Sequence, residues 1–160
     1  MTQSEEPVVL GRMRVMVLGL VALGLIGTAA ELLLIRHYED GLQWSPLVVI
    51  GVGLVSLVHR AASRGRGVRT FRAAMVALIV SGVVGAALHH RGNREFQLEL
   101  DPSLRGVDLF FKVLRAKTPP ALAPGSLVLF GLLGLASTYK QSVAAPPPPS
   151  PFPSIPERGA

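Results

Sequence analysis

From Val15 to Ala30 the chain carries no charge, and apolar residues prevail from Arg14 to Ile35. About 18 or more predominantly apolar residues are enough for a helix to cross a bilayer. In lipid the backbone must satisfy its own hydrogen bonds, so such a run is restricted to helix. Three more blocks of this kind follow, which predicts spans at about 14–36, 42–59, 71–90 and 120–139. The expected fold is therefore all-α: a four-transmembrane-helix bundle. The first block is too long for a signal-peptide core and has Glu5 and Glu6 upstream, so it reads as a retained anchor.

Only 16% of the 160 residues are charged and 49% are hydrophobic, less charge than a soluble domain of this size usually carries. The formal net charge of +6 sits in loops between apolar blocks, where it sets membrane orientation, and this argues against nucleic acid as a partner. Arg60, Arg64, Arg66, Arg69 and Arg72 surround the second loop, whereas the 36–45 loop holds only Arg36. That bias predicts cytoplasmic termini, against the six basic residues of the 91–118 loop. No cysteine is present, which excludes disulfides, thiolate metal sites and cysteine nucleophiles.

Within the blocks, GLIGTAAE at 24–31 matches GVVGAALH at 82–89 in pattern, and LVVIG at 47–51 matches LVLFG at 127–131. These pairs suggest a duplicated helical hairpin, although residues this common in spans also match by chance. On helices, Gly24, Gly27, Thr28 and Glu31 share one side, as do Gly82, Gly85 and His89. Small residues let helices approach closely in lipid, so both faces are expected to turn inward as packing seams. Each seam leads to a polar residue at the same end. There Glu31, His37, Glu39, His89 and His90 form a candidate polar cluster. Imidazoles and carboxylates together could bind a divalent metal, a haem iron or a proton. Ordinary interfacial anchoring, an Arg36–Asp40 pair and a structural hydrogen bond from Glu31 account for the same residues without a ligand, so no cofactor is predicted. Glu31 is expected inside the bundle, within reach of span three or the outer loop.

Between spans three and four, EFQLELD at 95–101 alternates polar and apolar residues with a strand-like period, which suggests an extended segment. Asp101 and Pro102 then read as the N-cap and first turn of an amphipathic helix over 102–116, lying in the membrane interface. Phe110 and Phe111 belong to it, and Trp44 is the matching interfacial anchor of span two. Residues 1–13 form a polar N-terminal segment. The tail, 141–160, carries seven of the thirteen prolines and cannot build a core.

ELLLIRHYED, RGNREFQLELDPSLRG and PALAPGSLVLFGLLGLASTYK together resemble a set of small four-span bacterial membrane proteins of unknown function, over about residues 12–140. The resemblance implies a bacterial inner membrane and carries over no functional residue. The leading expectation is a non-enzymatic accessory or scaffold subunit of a membrane complex, with the bilayer and a membrane protein or second copy as partners. The alternative is a transporter-like or metal- or haem-binding protein that uses the Glu/His cluster.

Overall fold

The computed structural model describes residues 6–63, 67–116, 122–139 and 141. Every regular element among them is helical. Helix α1 spans Glu6–Leu34, a 3-10 turn covers Gly41–Gln43, and α2 spans Trp44–Ala62. Helix α3 spans Val68–Leu100, α4 spans Gly106–Leu114 and α5 spans Leu122–Ala136.

Three segments are long and apolar enough to cross a membrane: Val8–Leu34, Gly41–Ala62 and Val68–Leu100. Helix α5 is apolar but has only 15 residues, about 22 Å against a hydrocarbon core of roughly 30 Å. Large apolar side chains such as Val15, Leu23, Val55, Val58, Val83 and Leu88 stay exposed along the outer faces of α1, α2 and α3. Water would not tolerate so continuous an apolar surface, whereas lipid covers it.

The three long apolar helices and the shorter α5 pack in the cyclic order α1, α2, α3, α5, and the pair α3–α5 makes the most extensive contact. Helices α1 and α3 therefore sit on one diagonal without close backbone packing, and their side chains share the central core. Val21, Leu25 and Leu32 of α1, Ile50 of α2, Phe71, Met75 and Leu78 of α3 and Leu127 of α5 build the central core. Helix α5 runs antiparallel to α3: Gly134 lies beside Phe71 and Met75, Gly131 beside Met75 and Ile79, and Pro124 beside Gly82 and Gly85.

The segment between the third span and α5 departs from the sequence reading. Residues 95–100 continue α3 as helix; they do not form an extended segment. Arg, Glu, Gln and Leu are good helix formers, and Arg91 pairs with Glu95 one turn on at 2.9 Å. A lone strand would have had nothing to pair with. With 33 residues, about 50 Å, α3 is far longer than the membrane core requires. The next helix is shorter than expected. Asp101 does not cap it: its Oδ1 accepts from the Ser103 N–H at 3.0 Å and the Ser103 hydroxyl at 2.6 Å, which closes a turn around Pro102. Those bonds hold the Asp101 carboxyl below the usual carboxylate range. Helix α4 starts at Gly106, whose φ of +53° suits glycine.

Candidate functional site

The end of the bundle that carries the predicted polar cluster is organised by the way α1 stops. The Arg36 N–H donates to Leu33 O at 3.1 Å and the His37 N–H to Leu32 O at 2.8 Å, the two bonds of a Schellman cap. Arg36 occupies the left-handed position with φ of +54°, where glycine is the usual residue. This reversal carries His37 back over the bundle, where its ring stacks on His89 with centroids 5.9 Å apart and planes at 26°. Both histidines are half-buried. Burial first, and the neighbouring His89 second, hold the His37 imidazole below its usual range.

The other members of the cluster go elsewhere. Glu31 is exposed, and no hydrogen bond or ion pair holds its side chain among the described residues, which corrects the expectation of an inward carboxylate. The buried stripe of α1 is Val21, Leu25, Thr28 and Leu32. At 3.6 residues per turn, Glu31 lies about a quarter-turn to one side of that stripe. Span three, its expected partner, is diagonal to α1. The Glu39 N–H and the Asp40 N–H donate to Gln43 Oε1 at 3.0 and 3.4 Å. Asp40 caps the 3-10 turn through the Gly41 N–H at 2.9 Å, so it serves the backbone and makes no pair with Arg36. His90 faces Phe110 of α4, with ring centroids 6.4 Å apart. Of the five predicted cluster residues, only His37 and His89 meet. Among the described residues no three His, Asp or Glu side chains are grouped as metal ligands.

The predicted seams divide in a similar way. A Cβ on Gly24 would collide with the Phe130 ring of α5, and one on Gly82 would lie 2.5 Å from Pro124 O. Gly85 lies in ordinary contact range of Pro124, and Gly27 faces open space. The tightest approaches also involve Gly131 and Gly134, which the sequence reading did not single out. A Cβ on Gly131 would stand 2.6 Å from Ile79 Cγ1 and 2.7 Å from Met75 O.

Helix α4 has three sectors. Leu109 and Val113 are buried and pack, with Leu104, on Leu98 of the α3 extension. Asp108 and Lys112 form a polar edge. Val107, Phe110, Phe111 and Leu114 form an exposed apolar sector about 100° wide. Trp44 is exposed at the start of α2, and its ring contacts Tyr38 at 5.9 Å between centroids.

The opposite end holds an arrangement absent from the sequence reading. Three arginines from three helices converge on the residues that directly follow α5, Ser137 to Tyr139 and Gln141. Arg14 Nη2 donates to Tyr139 O at 2.8 Å. Arg60 donates to Ser137 Oγ at 3.2 Å and Gln141 Oε1 at 2.8 Å, and its guanidinium lies 4.7 Å from the centre of the Phe71 ring. Arg72 donates to Thr138 Oγ1 at 2.9 Å, Thr138 O at 3.0 Å and Gln141 O at 3.2 Å. The last carbonyls of a helix lack intrahelical partners and carry its negative end, so cations fit there. The signal was present in the sequence: each arginine closes an apolar block at the same predicted end, and Ser137-Thr138 supplies hydroxyls.

Fold and exposed surface together define a helical multi-pass membrane protein. No known protein family, no curated protein and no solved structure matches the chain.

Proposed function

We propose that this chain is a non-enzymatic accessory or scaffold subunit of a bacterial inner-membrane complex, with α5 as a fourth span and both termini cytoplasmic. One observation carries the reading. Helix α3 continues past the membrane-spanning length, and α4 folds back on that extension while its sector of Val107, Phe110, Phe111 and Leu114 stays uncovered. A helix with one apolar face anchored and a second one open is suited to lie against the membrane interface or a neighbouring membrane protein. The fourth span is supported by the antiparallel course of α5 along α3. It is also supported by Arg14 of α1, Arg60 of α2 and Arg72 of α3, which hold the residues directly after it.

The test is a photocrosslinking residue at Phe110 in the full-length chain in native membranes, with Val55 on the outer face of α2 as control. A discrete protein adduct from position 110 that is missing from position 55 supports the reading. Lipid adducts alone from both positions contradict it.

The His37–His89 stack favours a second reading, in which a ligand or proton is held at that end. Metal and haem content of the chain purified in mild detergent, compared with His37→Ala, separates the two.

A further inference from the structure

We propose that Arg14, Arg60 and Arg72 form a binding site for a phosphate group, supplied by the headgroup of an anionic phospholipid. The argument starts from charge. Three guanidinium groups meet at the end of α5, whose dipole contributes only about half a negative charge. Arg60 is 6% exposed, and the charges of Arg14 and Arg72 are close enough to repel it. A buried cation normally brings a carboxylate with it.

Among the described residues no carboxylate pairs with these arginines. The sequence holds no Asp or Glu from Pro7 to Ala30, from Gly41 to Arg94, or from Leu109 to Pro156. Glu31, Glu39, Asp40 and the acids from Glu95 to Asp108 belong to the opposite end of the bundle. Both ion pairs among the described residues, Arg91–Glu95 and Lys112–Asp101, are there too. Glu6 precedes Arg14 by eight residues, about 12 Å along α1. Among the described residues the three guanidinium groups are thus left without an anion, and one from outside the chain fits there.

Its chemistry follows from the donors. Among the described residues, Arg14 uses only Nη2, and Arg72 uses Nε and Nη2. Arg14 Nε and Nη1 and Arg72 Nη1 retain N–H groups, and both side chains are half-exposed above the buried Arg60. Planar guanidinium forks match the oxygens of a phosphate. The site lies where α2 ends and α3 begins, at the level of the bilayer where lipid phosphates are found.

The test uses the full chain in a non-ionic detergent and follows its thermal unfolding midpoint after adding phosphatidylglycerol, phosphatidylcholine or inorganic phosphate. Phosphatidylglycerol is expected to raise the midpoint by several degrees more than phosphatidylcholine. Arg14→Gln with Arg72→Gln should lose most of that difference, and Arg91→Gln with Arg94→Gln should keep it. If the first pair does not fold, Arg14→Gln alone serves, because Arg14 makes a single rim bond. Equal effects of the two lipids, or a full increment in the Arg14 variant, would overturn the site. Inorganic phosphate that reproduces the whole increment would keep the site and assign it to free phosphate, overturning the lipid source.

Discussion

His37 stacks on His89 across the gap between the α1–α2 connection and α3, and the contact brings together two rings that can both become cationic. His37 is held below its ordinary range, so the unfolded chain binds the proton more readily than the folded one. Stability therefore rises with pH through the window between the lowered His37 value and the unfolded value of about 6.5, and is lost as pH falls through it. Unfolding followed by the fluorescence of Trp44, the single tryptophan, should occur at lower denaturant below about pH 6 than at about pH 7.5. His89→Gln should weaken that dependence, because burial remains but the second cation is gone. An unchanged pH profile in His89→Gln would remove His89 from the account.

Gly131→Ala should destabilise the bundle. The new methyl group meets the Met75 carbonyl oxygen, which is backbone and cannot rotate aside. A cost of about 1–3 kcal/mol is expected from such overpacking. Gly27→Ala is the internal control: its Cβ meets nothing within 4 Å, and higher helix propensity should leave it neutral or up to about 1 kcal/mol more stable. Reversible unfolding in mixed micelles measures both.

Arg36→Gly should stabilise the α1 terminus. A left-handed conformation costs a non-glycine residue about 1–2 kcal/mol, while glycine adds back about 0.5–1 kcal/mol through the unfolded chain. The net expectation is a gain of roughly 0.5–1 kcal/mol in the same unfolding assay. A loss would mean that the Arg36 side chain has a task that its exposed position does not reveal.

Glu31→Gln should be tolerated. The carboxylate is exposed in the last turn of α1, where the helix dipole disfavours negative charge. A gain of about 0.3–1 kcal/mol, or no change, is expected. A large loss of stability or of assembly would restore Glu31 to a functional cluster.

Topology is open to a direct measurement. A reporter active only in the cytoplasm should work when fused after residue 141, and one active only in the periplasm should work when inserted near residue 103. The same reporter active at both positions would remove α5 as a span.

The sequence made the membrane class and the long helices legible, because uncharged blocks of span length have few other solutions. It did not show which side of each helix faces in. On α1 the small residues suggested a stripe through Gly24, Gly27 and Glu31. The observed stripe through Val21, Leu25, Thr28 and Leu32 is filled by bulk, with Gly24 at its edge to admit Phe130. Spacing constrains which residues share a face, but the neighbours decide which face is buried. The α3 extension was hidden because six residues can satisfy a period of two and a period of 3.6 at once. The stacking of His37 on His89 depended on the chain reversing at Arg36, a non-glycine residue where glycine marks most such caps. The arginine cluster was missed because Arg60 and Arg72 were counted as loop charges for orientation and Arg14 only as the start of the first apolar block. A basic residue can also close a neighbouring helix.

Helix α3 holds Arg72 near one end and Leu98, which packs against α4, near the other, in one proline-free rod. Its packed stretch, Phe71 to Gly82, lies in the half that also carries Arg72, and the half with Leu98 extends beyond that core. One unbroken helix thus carries both the arginine end of the bundle and the surface that holds α4.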